Sequence, residues 1–281
     1  MSMRSGRVAG ALMLAAAGLL AAGALVTSKA VRDLAAPEPT PARQRVDAAV
    51  QWRADAAVWV VKQVHSTVGC DPAMCAELVG HGMSDGLLLP LRTSEDEVLN
   101  ADVVVVTAAV RSMFGAGLTP ITSPDVLCRK GTGPGMVEVL QVTPEGVAAY
   151  RKQHKADARA LRQAGRELLG RPNLGASRDA AAQLAAGQVD GRLLSGLAAV
   201  ASSYHVYVRA FTDGGADQGV PLRGAELSGK YGDLKSIRRF FDAQESRFRP
   251  ILATLDTESA GTVTILRIRY AAPSPSGSLD S

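Results

Sequence analysis

The chain has 281 residues, 47% of them hydrophobic and 21% charged, with a mean hydropathy of +0.07. Such a composition buries a core and excludes a disordered stalk. The formal net charge is +4, but Arg4, Arg7 and Lys29 flank an N-terminal apolar run, and the remaining 28 basic residues face 27 acidic ones; this near-neutral balance argues against a nucleic-acid binder.

Residues 1–7 form a short basic segment ahead of Val8–Val26, an apolar run long enough to cross a bilayer. Arg4 and Arg7 on its N-terminal side orient the rest of the chain outward. Residues 8–28 are therefore expected to act as a membrane anchor, with a cleaved signal ending at Ser28-Lys29-Ala30 as the alternative; the 19-residue run exceeds the usual core of such a signal. No cysteine lies in or just after the run, which excludes a lipoprotein anchor. Residues 29–44, with Pro37, Pro39 and Pro41, are expected to form a semi-extended linker.

From Arg45 to Val64 the apolar spacing predicts an amphipathic helix. A short strand ends near Cys70, and Asp71-Pro72 open a helix running to about Gly80. Cys70 and Cys75 stand five positions apart, which in an oxidising exterior suits a short disulfide; two buried thiols or a redox pair are the alternatives. Leu87–Leu91 and Asp102–Thr107 read as strands, the second β-branched and buried on both faces. DVLCRKG and MVEVLQV form a hairpin across Gly131–Gly135, with Cys128 as a small core residue. That glycine-rich turn matches no phosphate-loop pattern.

Thr143 is expected to cap a helix with Pro144 at its first position, leading into a polar stretch from Val147 to Leu169 that carries Arg151, Lys152, His154, Lys155, Arg159, Arg162 and Arg166 around an inward stripe of Leu161, Ala164 and Leu168. Ser177 and Asp190 cap further helices, the second with Leu193, Leu194, Leu197 and Val200 inward. YHVYVRAF is a strand, DLKSIRRFFDAQES a helix capped by Asp233, and TVTILRIRY a closing strand. Residues 272–281, rich in Ser and Pro, are expected to be a disordered tail.

The fold class is thus α/β, or α+β: an N-terminal transmembrane helix followed by a two-part α/β ectodomain with small mixed sheets, its halves at 45–146 and 147–271.

The four histidines are scattered, and no metal-binding, thioredoxin-like or serine-nucleophile signature occurs, so neither a metal nor a cofactor is expected. The loop TDGGADQGVPLRG places Asp213, Gly214, Gly215 and Asp217 at a strand's C-terminal end, where α/β sheets usually bind ligands. Asp190, Asp213 and Arg223 are accordingly the candidate ligand-binding residues, with a plain exposed loop as the alternative.

Four segments read together, ADAAVWVVKQV, NADVVVVTAAVRSMFG, VEVLQVTPEG and GQVDGRLLSGLAAVASSYHVYVRAFTD, resemble the extracytoplasmic soluble regions of actinobacterial membrane glycosyltransferase-type proteins and of related single-pass envelope proteins. In such transferases the transfer chemistry resides in a separate portion, and here one apolar segment stands in its place. The resemblance implies an accessory ectodomain at the cell membrane that binds a glycan or a component of polysaccharide assembly without catalysis. Two other readings stand beside it: an enzyme using the loop carboxylates Asp190 and Asp213 on cell-wall sugars, and a scaffold docked on lipid, or on a second copy, through the basic helix.

Overall fold

The computed structural model describes residues 41–217, 219–257 and 263–277. The apolar run Val8–Val26, its anchor or signal role and most of the proposed linker lie outside the described residues. Among the described residues no helix is long and apolar enough to cross a membrane.

The first half runs α1 (Pro41–Gln63), β1 (Val68–Cys70), α2 (Pro72–Gly80), β2 (Leu88–Pro90), α3 (Glu95–Leu99), β3 (Val103–Val106), α4 (Ala108–Phe114), β4 (Thr122–Lys130) and β5 (Val137–Val142). The second runs α5 (Val147–Leu169), β6 (Leu174–Ala176), α6 (Arg178–Ala186), α7 (Gly191–Val200), β7 (Val206–Thr212), β8 (Gly224–Ser228), α8 (Tyr231–Asp242), β9 (Leu252–Thr257) and β10 (Thr264–Arg269). Each half contributes a five-stranded mixed sheet, in the orders β2-β1-β3-β5-β4 and β6-β7-β8-β10-β9. Each half also opens with a 23-residue helix, a three-residue strand and a nine-residue helix. Residues 41–281 nonetheless form one compact unit.

The β3 run is buried throughout because the first sheet is covered on both faces. Val103 and Val105 join a core with Trp59, Val60, Met74 and Val139. Val104 and Val106 point the other way, to Leu91, Val98, Val110 and Phe114. The second sheet is covered on one face only: Val206, Val208, Leu227 and Ile268 meet Leu193, Leu197, Ile237 and Phe241, while Tyr207 and Arg267 alternate outward. That alternation is the period-2 pattern of a half-buried strand.

Cys70 and Cys75 are joined by a disulfide from the end of β1 to the first turn of α2. Asp71 caps α2 by accepting from Ala73 N and Met74 N, and it also accepts the Thr107 hydroxyl at 2.6 Å. Thr107 in turn caps α4, so the C-terminal ends of β1 and β3 are stitched by one buried polar pair.

Three local expectations are corrected. Helix α1 starts at Pro41, inside the segment read as linker; proline is tolerated in a first turn, where its missing N–H has no helical partner to lose. Thr143 does not cap α5: Gly146 N donates to Thr143 O in a tight turn, and the helix begins after Gly146, whose φ of 84° suits only glycine well. Asp233 lies in the first turn of α8, after Lys230 at the cap position, where its charge still favours the helix N-terminus.

Residues 272–277 of the expected tail are held in place by the rest of the fold. Ala272 is buried, bridges Val64 and donates its N–H to Gln63 O at 2.6 Å, and Gly277 N donates to the Asp157 carboxylate. A backbone carbonyl of α1 and a side-chain carboxylate of α5 hold a segment that has little apolar surface of its own.

Candidate functional site

A cavity of about 540 Å³ is walled by β4 and β5, by α5, by the α6–α7 connection, by the loop after β7 and by residues 274–276. Its apolar lining includes Leu127, Leu161, Val220 and Leu222; its polar lining includes Asp125, Gln141, Tyr150, His154, Asp157 and Gln188. A cavity of this size with a few polar groups among apolar ones has the ordinary form of a small-molecule site.

Helix periodicity explains the α5 wall. Tyr150, His154, Asp157, Ala158 and Leu161 recur every three or four residues and so share one face. Tyr150 and His154 stack, with ring centroids 5.7 Å apart and planes at 23°. The Tyr150 hydroxyl donates to Asp125 at 2.9 Å. Burial above all, with the Asp125 charge beside it, pushes this phenol up to about 12, so it stays a proton donor across the physiological range. Asp157 accepts from Gln153 Nε2 and from Gly277 N, which fixes the tail across the cavity edge.

Of the sequence-derived candidates, Asp190 and Asp213 both line this cavity. Asp190 is buried and caps α7 through Arg192 N at 2.9 Å. Its two carboxylate oxygens also grip the Arg192 guanidinium, at 3.0 Å to Nε and 2.8 Å to Nη2. Burial on its own raises the Asp190 pKa, but the Arg192 hydrogen bonds and charge outweigh it and hold the carboxyl below its ordinary value. The Ser274 hydroxyl adds to this pull, although it does not reach full hydrogen-bond geometry. An ionised, fully partnered carboxylate is not a general acid, so Asp190 is a positioning residue.

Asp213 is exposed, and its carboxylate accepts from Gly215 N at 2.7 Å. Its carbonyl accepts from Arg223 Nη2 at 3.2 Å. Arg223 itself does not line the cavity: it is 1% exposed and lies behind the wall over the Trp59 ring, 5.9 Å from its centre. Its Nε and Nη1 are buried without a protein partner. Burial lowers its pKa to about 10, with Asp190 as the opposing charge. Expected as a ligand contact, Arg223 instead braces the loop, because its reach of several methylenes carries the guanidinium inward past the strand end.

The loop is pinned from the other half as well. Trp59 Nε1 donates to Gly214 O at 3.1 Å. Gly214 has φ of 65°, and a Cβ there would sit 2.8 Å from Gln63 Oε1. Asp217 N donates to Leu127 O, and the Asp217 carboxylate faces Arg129 at 3.7 Å.

Sequence reasoning missed Asp125, Tyr150, His154 and Asp157. The i, i+4 spacing of Tyr150 and His154 was a signal; Asp125 carried none, since only the sheet brings it to α5. Among the described residues no group of three His, Cys, Asp or Glu side chains is placed to hold a metal ion. Compared with protein-family models, curated proteins and solved structures, the chain matches none of them.

Proposed function

We propose that this chain is a membrane-anchored extracytoplasmic protein of the cell envelope that binds a glycan, or a component of polysaccharide assembly, without turning it over. The observation that carries this reading is the lining of the cavity. Carboxylates and glutamine amides suit the hydroxyls of a saccharide, while Leu127, Leu161 and the Tyr150 ring suit its C–H faces. The commitment of Asp190 to Arg192 removes one of the two carboxylates a glycosidase would need. The Cys70–Cys75 disulfide supports an oxidising compartment, in keeping with the outward orientation expected from Arg4 and Arg7.

The test is saturation-transfer NMR on the full chain with a panel of envelope disaccharides, repeated with Gln188→Trp. Gln188 is exposed and lines the cavity, so the indole narrows the space without crowding the core. Saturation transfer that disappears in Gln188→Trp supports the reading; signal that is unchanged by it, or absent for the whole panel, removes it.

A further inference from the structure

The face of α5 turned away from the cavity carries six cations: Arg151, Lys152, Lys155, Arg159, Arg162 and Arg166. At 3.6 residues per turn they fall within an arc of about 100° and extend about 22 Å along the axis. The centre of this arc lies roughly opposite Tyr150, Leu161 and Leu168. Five of the six are exposed, and Arg162 is half-buried. Among the described residues none of them forms an ion pair. The two acids of the helix lie elsewhere and are bound to amides, Asp157 to Gln153 and Glu167 to Gln163. Like charges three and four positions apart repel along a helix, so this stripe disfavours α5 unless an anionic surface meets it.

We propose that the stripe docks on an anionic phospholipid bilayer. The bilayer is favoured over other polyanions by the chain itself and rests on the anchor reading of Val8–Val26. Only 14 residues separate Val26 from Pro41, and they span at most about 50 Å when fully extended. A domain tethered that close meets the lipid surface at high effective concentration, so weak electrostatic attraction is enough. No aromatic or large apolar residue interrupts the stripe, so contact is with headgroups and not by insertion. Because the centre of the stripe lies roughly opposite Tyr150 and Leu161, a docked helix leaves that part of the cavity wall turned away from the lipid.

Lys152 and Lys155 report directly on this contact. The full chain is inserted into vesicles of phosphatidylcholine with or without phosphatidylglycerol, washed with carbonate and labelled with an amine-reactive reagent. Mass spectrometry then compares Lys152 and Lys155 with the exposed Lys230 and Lys235. The expected result is labelling of Lys152 and Lys155 about fivefold slower on the anionic vesicles, roughly the factor supplied by one basic residue's attraction to such a surface. The protection is lost in high salt and in Arg159→Glu/Arg166→Glu, whose sites are exposed. Protein removed by carbonate overturns the anchor reading and the tethered docking with it. Protein retained but labelled equally on both vesicles overturns the docking alone. Protection conferred by soluble polyphosphate and not by anionic vesicles assigns the stripe to a polymer and overturns the bilayer.

Discussion

Replacing Asp190 by alanine tests the most heavily committed residue of the cavity wall. Asp190 and Arg192 have side chains 0% and 8% exposed, so solvent screens their attraction little. Arg192 Nη2 also donates to Ala271 O at 2.7 Å and its guanidinium lies 5.0 Å from the Tyr270 ring centre, so the pair clips α7 to the C-terminal segment. Removing one partner of a buried ion pair costs about 3–5 kcal/mol, and the lost N-cap is worth about 1 kcal/mol on its own. The two overlap, so the expected loss is roughly 4 kcal/mol of a domain stability that is typically about 5–15 kcal/mol. Guanidinium unfolding of the full chain in mild detergent, followed by circular dichroism, measures it. Asp190→Asn keeps an acceptor for Arg192 N and should lose less. Asp190→Asn/Arg192→Met, which leaves no lone charge at the pair, should recover part of the alanine loss. The sign with pH follows from the depressed pKa: the stabilisation is present above the unfolded carboxylate value of about 4 and is lost as pH falls through the lower folded value. Wild type should therefore show a steeper acid limb below about pH 4 than Asp190→Asn. A cost under about 1 kcal/mol for Asp190→Ala refutes the reasoning, because it means that the buried charge of Arg192 does not need its partner.

Opening the Cys70–Cys75 disulfide frees a loop of only five positions, so reduction should cost about 2 kcal/mol, read as a shift in the same unfolding midpoint. Thiol titration of the unreduced chain should find one reactive group when unfolded and none when native, since burial pushes the Cys128 thiol up to about 11. Gly165→Ala should reverse the usual sign of a glycine-to-alanine change in a helix. The alanine gains up to about 1 kcal/mol in propensity, but its Cβ collides with the Leu184 carbonyl where α5 crosses α6. A net loss of about 1–3 kcal/mol is expected, and a stabilised variant would show that the helices part freely.

The legible parts of the fold were those in which local pattern and tertiary environment agree. Asp102–Thr107 carried no polar alternation, and β3 is covered on both faces. The alternation of β7 matches its single solvated face. Asp71, Ser177 and Asp190 cap where short polar residues precede apolar spacing. The strands that escaped notice were β6, β8 and β9. Gly224–Ser228 contains glycine and glutamate and has little strand propensity of its own. It forms because β7 and β10 pair with it on both sides, over registers that no local window contains. The candidate site was half legible for the same reason. Asp190 and Asp213 follow from the rule about strand ends, while Asp125 and Asp157 reach the cavity only after β4, β5 and α5 have met the second sheet.

That meeting explains why Asp190 and Arg223 brace the wall while Asp213 keeps its carboxylate at the cavity. A cavity lined by several carboxylates and no lysine or arginine is electrostatically costly unless opposite charge lies close behind its walls. Arg192 and Arg223 supply that charge from beneath, buried at 7% and 1% exposure. Asp190 answers both, Arg192 by direct hydrogen bonds and Arg223 through space. The wall is thus held by one acid between two buried guanidinium groups, and the free oxygens that could meet a ligand belong to the half-buried and exposed residues around it, Asp125, Asp213 and Asp217. Charged residues at strand ends are therefore poor guides to ligand contact when they are deeply buried. The same burial that gives them a strong field makes them too well paired to exchange a protein partner for a solute.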